Sequence, residues 1–382
     1  MEFDFLQPLD IEILELIRGF SSQQLGSKVV LHRAEDFPNL DKIKIAIIGV
    51  LDNRGEVMSN LEVDLYHVRK EFYGLYPGNW DASIADLGNI LPGNSISDTH
   101  FALKKVVSSL IKKNIIPIVL GGSQDLTYSL YRAFDELEQM VNLVAIDSKF
   151  DFGKESAPVS SSSYLTKIII DEPNNLFNFS NIGYQTYFNS QEEIDLIDKL
   201  FFEAYRLGEI SNAISIAEPV FRDADVVSLD LTSVKSCDSG NFYSFVPNGF
   251  NGKEICALAR YAGISDKVSV IGIFNQTNSV QESVLISQII WYFIEGYHYR
   301  SNEYPFGSKE NYIKYIIPLE EELVFYKSNK TDRWWIEIPS VTNGNNKLKK
   351  STLLPCSYEE YLGACNQEIP ERWWKALRKN IL

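Results

Sequence analysis

Apolar, β-branched runs alternate with amphipathic stretches along most of this chain. The runs are short and rich in Ile, Val and Leu, and they predict strands at residues 44–50, 83–87, 115–120, 143–147, 180–184, 226–231 and 268–273. Segments with helical spacing of apolar positions lie between them, at residues 102–113, 126–139, 192–206, 253–261 and 283–295. This alternation predicts βαβ units, and therefore a mostly parallel central sheet flanked by helices.

The alternation stops near residue 300. Beyond it the chain has two extended stretches and a closing helix, at residues 312–318, 334–339 and 358–364. We therefore predict three regions: an N-terminal helical segment (1–40), an α/β domain (41–300) and a Trp-rich C-terminal extension (301–382).

Composition narrows the class of protein. The 382 residues carry a net charge of −15, and the one small basic cluster lies at residues 347–350, so nucleic-acid binding is not expected. The four cysteines form no CxxC pair, which favours reduced thiols. The acidic N-terminus does not resemble a signal peptide, and no apolar run is long enough to span a membrane. We expect a cytoplasmic protein.

Three predicted strands end in polar residues. In parallel sheets, functional side chains gather just beyond the carboxyl ends of the strands. The three strand ends read Gly121-Gly122-Ser123-Gln124-Asp125, Asp147-Ser148-Lys149-Phe150-Asp151 and Asp230-Leu231-Thr232.

In order, spacing and strand context, these motifs resemble those of the ureohydrolase family, which includes arginase, agmatinase and formimidoylglutamase. The resemblance covers roughly residues 44–300 and implies a three-layer arginase-like fold with a C-terminal extension. The family motifs GGxH, DAHxD and SFDxD hold two manganese ions, which activate a hydroxide against a guanidinium or formimidoyl carbon.

The metal-binding positions differ from the family pattern at three of six places. Gln124 and Lys149 stand where the family has histidines, and Thr232 stands at the final aspartate. The resemblance implies that the positions of Lys149 and Thr232 belong to the second metal alone. Since an ammonium group cannot ligate a cation, that second site is expected to be lost.

The remaining cluster leaves two arrangements open. Three aspartates and one lysine sum to −2, a charge that is costly to bury. One divalent cation (Mg, Mn or Ca) could neutralise it, held by Asp147, Asp151, Asp230 and the Gln124 carbonyl. In the favoured alternative no cofactor is bound: Lys149 pairs with the aspartates as a counter-ion, with Thr232 beside it, and one carboxylate stays protonated.

Other sites are weaker candidates. The GGS turn could cradle a phosphate, but the chain lacks the P-loop residues, and Asp125 is expected instead to cap the following helix. The resemblance implies a histidine that transfers protons in the loop after the second motif, but the serine-rich loop at residues 153–163 contains no histidine. It also implies a glutamate that pairs with the substrate near residues 272–275, but these residues contain no carboxylate. The histidines are expected to be packing or surface residues; they are His32, His67, His100 and His298.

The extension repeats an acid-Arg-Trp-Trp phrase, at residues 332–335 and 371–374. Tryptophan and arginine are typical anchors of interfaces, although tryptophan is more commonly a core residue. We expect these residues to contact a protein partner or a second copy of the chain; they are Arg333, Trp334, Trp335, Arg372, Trp373 and Trp374.

The leading hypothesis is therefore a ureohydrolase-fold pseudoenzyme without catalytic residues, acting in binding, scaffolding or regulation. The alternative is a divergent amidino hydrolase that acts on a formimidoyl or guanidino compound with one metal.

Overall fold

The α/β part of the chain is built on one large sheet. The computed structural model describes residues 3–56, 62–80, 83–137, 139–242, 245–303, 310–339 and 353–381. Its main sheet contains β1 (Leu6–Gln7), β2 (Val30–Leu31), β3 (Ile45–Val50), β4 (Ile84–Ile90), β5 (Ile116–Leu120), β6 (Val141–Ile146), β7 (Leu176–Tyr184), β8 (Glu203–Arg206), β9 (Val226–Asp230) and β10 (Val270–Phe274). The strand order is β1-β4-β3-β5-β10-β9-β6-β7-β8, with β2 also paired to β4. Only β1 runs antiparallel to its neighbour among these described strands.

Helices cover both faces of this sheet. They are α1 (Ile11–Ile17), α2 (Tyr66–Gly74), α3 (Ile96–Lys112), α4 (Leu126–Arg132), α5 (Tyr164–Ile170), α6 (Gln191–Lys199), α7 (Leu207–Asn212), α8 (Ala217–Arg222), α9 (Ser236–Ser239), α10 (Gly252–Ile264) and α11 (Val280–His298). Helices α2, α8, α10 and α11 contribute to the apolar core on one face, and α3 to α6 contribute to the core on the other.

Strand β3 shows why an unbroken apolar run marks these strands. All six of its residues are buried. Ile45 and Ile47 point to one core, whereas Ala46, Ile48 and Val50 point to the other. Since alternate side chains leave opposite faces of a strand, a sheet covered on both sides needs apolar residues at every position. The predicted three-layer α/β fold is confirmed.

Two segments differ from the sequence prediction. Residues 192–206 were expected to form one helix, but α6 ends at Lys199 and residues Glu203–Arg206 form β8. Phe201 adopts a positive φ of 54°, which turns the chain and directs Phe202 into the core. The N-terminal 40 residues form more than a helix, because β1 and β2 add to the sheet through β4. The region boundaries near residues 40 and 300 stay predictions.

The C-terminal extension has its own sheet and core. Its elements are β11 (Tyr312–Ile317), β12 (Leu323–Ser328), β13 (Trp334–Glu337), β14 (Leu353–Cys356), α12 (Tyr358–Cys365) and α13 (Glu371–Ile381). The strands form an antiparallel sheet in chain order. Trp334, Ile336 and Trp373 pack together in its core.

This extension docks on the α/β domain of the same chain. The guanidinium of Arg222 in α8 donates to the carbonyls of Trp334 and Cys356, each at 2.9 Å, and lies 4.7 Å from the Trp335 ring centre. Arg372 in α13 pairs with Glu203 in β8 at 2.8 Å. The Arg and Trp residues thus hold two parts of one chain together.

Most of the Arg-Trp-Trp side chains are buried within the chain, whereas a contact of the extension with a partner stays a prediction. Trp334, Trp335 and Trp373 are buried, with 7%, 0% and 1% of their surface exposed, so they cannot anchor a partner. Arg333 lies 3.5 Å from Glu218 of the same chain, and Arg372 is buried in its ion pair. Trp374 alone of the six stays substantially exposed, at 38%. Tryptophan in this small sheet supplies the apolar area that the sheet needs to form a core.

Among the described helices, none is long and apolar enough to cross a bilayer.

Candidate functional site

The three sequence motifs meet at one edge of the main sheet. They follow strands β5, β6 and β9, and the sheet places β10 between β5 and β9, with β6 next to β9. Parallel neighbours end at the same edge, so residues far apart in sequence come together there. Asn275, directly after β10, joins them.

The turn after β5 depends on two glycines. Gly121 and Gly122 have positive φ values of 81° and 73°. A Cβ on Gly122 would lie 2.6 Å from the Asp52 carbonyl oxygen, which is too close for any other residue. This turn aims the backbone N–H of Gln124 at Ser161 Oγ and Asn275 Oδ1, each 3.1 Å away. The serine-rich loop therefore forms part of the site.

The three aspartates form a buried acidic group. Asp147, Asp151 and Asp230 are 1%, 9% and 5% exposed. Burial, together with the neighbouring charge of Asp147, raises the pKa of Asp151 well above its usual range. Burial also raises the pKa of Asp147, and it raises that of Asp230 to about 7. These shifts all act to lower the negative charge of the cluster.

Thr232 donates two hydrogen bonds to the Asp230 carboxylate. Its backbone N–H donates to Asp230 Oδ1 at 2.8 Å, and its hydroxyl donates to Oδ2 at 2.6 Å. A threonine at this position therefore donates to both oxygens of Asp230 instead of adding a carboxylate of its own.

Lys149 does not close the cluster as predicted. Its backbone N–H donates to Asp147 Oδ1 at 2.9 Å, but its side chain is exposed and its ammonium lies 5.8 Å from the Phe188 ring centre. Within the described residues no carboxylate comes within ion-pair distance of it. Its charge acts on Asp147 and Asp151 only as a lesser influence on their pKa values, behind burial. The flexible side chain of Lys149 lets the ammonium stay hydrated, and this avoids the free-energy cost of removing a charge from water.

A cavity of about 880 Å³ opens above these strand ends. Its floor includes Gln124, Asp151 and Asp230, and Lys149 stands on its wall. The rim carries aromatic side chains that are largely exposed: Tyr187, Phe188 and Phe245. Volume and lining are those of a site for a small organic molecule.

The residues present do not fit a pair of metal ions. Within the described ranges, no group of three or more His, Cys, Asp or Glu side chains is arranged to hold a metal. One position of the second ion carries an exposed ammonium at Lys149, and the other carries a hydroxyl that is bound to Asp230. Among the described residues, no N–H or hydroxyl group donates to Oδ2 of Asp147 or Oδ2 of Asp151, and the two carboxyl groups contact each other, so oxygen donors for one ion remain.

Two functional positions were missed from the sequence. Asn275 has a positive φ of 61°, contacts Gln124 and lines the cavity. Glu282 is fully buried in the first turn of α11, and its carboxylate accepts from the backbone N–H and the hydroxyl of Thr277, another cavity residue. Burial raises the pKa of Glu282 to about 7. The signal for Asn275 was a polar residue at the end of a fourth strand, since asparagine tolerates positive φ.

Asp125 does not cap α4 as expected. It stands at the N-cap position without a side-chain cap bond, and its Oδ2 lies 2.8 Å from His100 Nε2. His100 Nδ1 is 2.5 Å from Ser129 Oγ. The three side chains tie α3 to α4, so His100 has the packing role that was predicted for it.

A family model described as the arginase family matches residues 57–234. This part of the chain is thus similar to the arginase, or ureohydrolase, family. A formimidoylglutamase of Lysinibacillus sphaericus is 24% identical over 212 residues, which cover 53% of this chain and 65% of the relative. A Geobacillus formimidoylglutamase is 26% identical over 190 residues, covering 46% and 57%. The aligned parts thus span less than two thirds of these relatives' own length.

Solved structures of the family share this fold. A Trypanosoma cruzi formiminoglutamase with Mn²⁺ aligns with a TM-score of 0.61 at 17% identity, covering 72% of this chain and 99% of that one. The agmatine ureohydrolase of Thermoplasma volcanium aligns with a TM-score of 0.58 at 18% identity, covering 74% and 97%. At these identities the likeness concerns the fold alone.

Proposed function

We propose that this chain is a ureohydrolase-fold pseudoenzyme whose cavity binds a small molecule without hydrolysing it. The single observation that carries the proposal is at the second metal position. There Thr232 offers a hydroxyl that is already bound to Asp230, and Lys149 offers an ammonium group, which cannot ligate a cation and lies over Phe188 instead. A hydroxide bridging two metals is then not available as the nucleophile.

The cavity itself supports a binding role. It is large, it is open at a rim of exposed aromatic rings, and it carries amides and hydroxyls on its walls. Its acidic floor tends towards neutrality, because burial raises the pKa of Asp151 and of Asp230. Such a floor offers hydrogen bonds to a ligand without a large electrostatic cost.

Hydrolysis assays test the proposal directly. The purified chain, incubated with manganese and arginine, agmatine or formimidoylglutamate, should release no product above a matched blank. Turnover that disappears in Asp147→Ala would show that the proposal is wrong.

Restoring the family ligands provides a second test. We expect the triple variant Gln124→His, Lys149→His and Thr232→Asp to bind two manganese ions per chain, since the aspartates still meet at adjacent strand ends. Isothermal titration calorimetry measures the stoichiometry, and the same variant with Asp147→Ala added serves as the control that should lose the ions. Fewer than two ions in the triple variant would mean that the scaffold no longer places these positions correctly.

A one-metal hydrolase is the second candidate, favoured by the unpartnered oxygens of Asp147 and Asp151. Asp147, Asp151, Asp230 and the Gln124 carbonyl would hold the ion, which would supply Lewis-acid polarisation of a substrate. Metal analysis of the purified protein distinguishes the pseudoenzyme from the one-metal hydrolase. One magnesium, calcium or manganese ion per chain that is lost in Asp230→Asn would favour the hydrolase.

A further inference from the structure

A second cleft of about 400 Å³ opens beside the cavity. Tyr187 and Asn248 line both spaces. Asn248 Nδ2 donates to the Tyr187 hydroxyl and to Gln185 Oε1, each at 3.0 Å, and Gln185 Nε2 donates back to the Asn248 carbonyl at 2.8 Å. The two spaces are therefore adjacent and share a wall of hydrogen-bonded side chains.

Two cationic side chains line this cleft. Arg206 ends β8 and Lys235 precedes α9. Within the described residues neither side chain forms an ion pair or a hydrogen bond. The carboxylate of Glu254, which also lines the cleft, already accepts from the Asn251 backbone N–H at 2.8 Å.

This concentration of positive charge is unusual for the chain as a whole, which carries a net charge of −15. Lys149 adds a third cation in the adjacent large cavity, where its ammonium lies 5.8 Å from the Phe188 ring centre. Two cations and one carboxylate line the cleft, and a concave surface on which one sign of charge predominates raises the local concentration of ions of the opposite sign. Arginine and lysine together match the oxygens of a carboxylate or a phosphate.

We infer that the cleft binds the anionic group of the same small molecule whose uncharged end enters the large cavity. The group is a carboxylate or a phosphate, held by Arg206 and Lys235, with the neutral Gln185 and Asn248 amides alongside. This inference rests on the proposed binding function of the cavity and adds the chemical class of its ligand.

Titration calorimetry at low ionic strength tests the inference, with inorganic phosphate and glutarate as separate probes. We expect at least one of the two anions to bind the full chain. Binding should weaken at least tenfold in Arg206→Ala and in Lys235→Ala, since each removes a charged partner of the anion. Phosphate binding alone would assign a phosphoryl ligand, and glutarate binding alone would assign a carboxylate.

Lys113→Ala is the matched control. It removes the same charge from an exposed position at the end of α3, on the opposite edge of the sheet, and should leave the affinity unchanged. The inference is wrong if neither anion binds the wild-type chain, or if binding survives in both cleft variants. Hydrolysis of a guanidino compound would instead overturn the proposed function and leave the anion affinity as it is.

Discussion

The buried ion pair between Arg372 and Glu203 should decide whether the C-terminal extension stays docked. Arg372 Nε lies 2.8 Å from Glu203 Oε2, and the two side chains are 9% and 6% exposed. Arg372 also donates to the Pro355 carbonyl at 2.7 Å, so one guanidinium connects α13, β14 and the sheet edge at β8. We therefore expect Arg372→Met to destabilise the docked extension.

The magnitude follows from the charge that is left behind. At 2.8 Å and an effective dielectric constant of about 20, the attraction is about 6 kcal/mol, much of which offsets the cost of burying both charges. Removing one partner of such a pair costs about 3–5 kcal/mol. The Asn178 amide at 3.0 Å and the Tyr205 hydroxyl at 2.9 Å still donate to Glu203, so we expect the lower end, about 3 kcal/mol.

The destabilisation caused by Arg372→Met should depend on pH. Burial acts to raise the pKa of Glu203, but the charge of Arg372 and other donors hold it below its usual value. A lowered pKa means that the pair stabilises the fold above the unfolded-state pKa and that this contribution is lost as pH falls through the folded-state pKa. Arg372→Met should therefore cost more at pH 7 than at pH 4.

Urea unfolding followed by tryptophan fluorescence measures the loss, because the extension contains most of the tryptophans. The double variant Arg372→Met with Glu203→Leu is the control, and it should be less destabilised than Arg372→Met alone, since the carboxylate that loses Arg372 is also removed. A cost below about 1 kcal/mol for Arg372→Met at pH 7 would refute this account of the docking.

Two further variants test packing and titration. Trp335→Ala should destabilise the extension by about 3–5 kcal/mol, because the ring is fully buried. Trp374→Ala should destabilise it far less, because that side chain is 38% exposed. Equal losses of unfolding free energy in urea would contradict the assigned burial. Glu282, whose pKa burial raises to about 7, should make wild-type stability fall as pH rises towards that value, by about 2 kcal/mol above pH 5.5. Glu282→Gln should remove this part of the slope and leave the part that Asp230 contributes. Melting temperatures of the wild type and of Glu282→Gln at pH 5.5 and 8.5 measure the change of stability with pH, and an equal change in both proteins would contradict the role assigned to Glu282.

The candidate site was partly visible in the sequence. Three motifs predicted that Gln124, Asp147 and Asp230 belong to the site, because residues just beyond buried parallel strands gather at one edge of the sheet. Asn275 was missed because its importance comes from the position of β10 between β5 and β9, and strand order is a property of the folded sheet. The direction of the Lys149 side chain was likewise beyond prediction, because a long flexible side chain beside an acidic group can turn inward to pair or outward to water.

The sequence by itself determined the layered α/β fold, since unbroken apolar runs such as Ile45–Val50 can be buried only in a sheet covered on both faces. It also determined which metal-binding positions had changed, because ligand chemistry belongs to the residue type. Only the tertiary structure decided the role of the Arg-Trp-Trp phrases, which hold the extension to its own chain. Tryptophan and arginine suit an interface between molecules and an interface within one molecule equally well, since the same apolar area and donors serve both. The choice depends on whether partners such as Glu203 and Glu218 are presented by the same chain, and here they are.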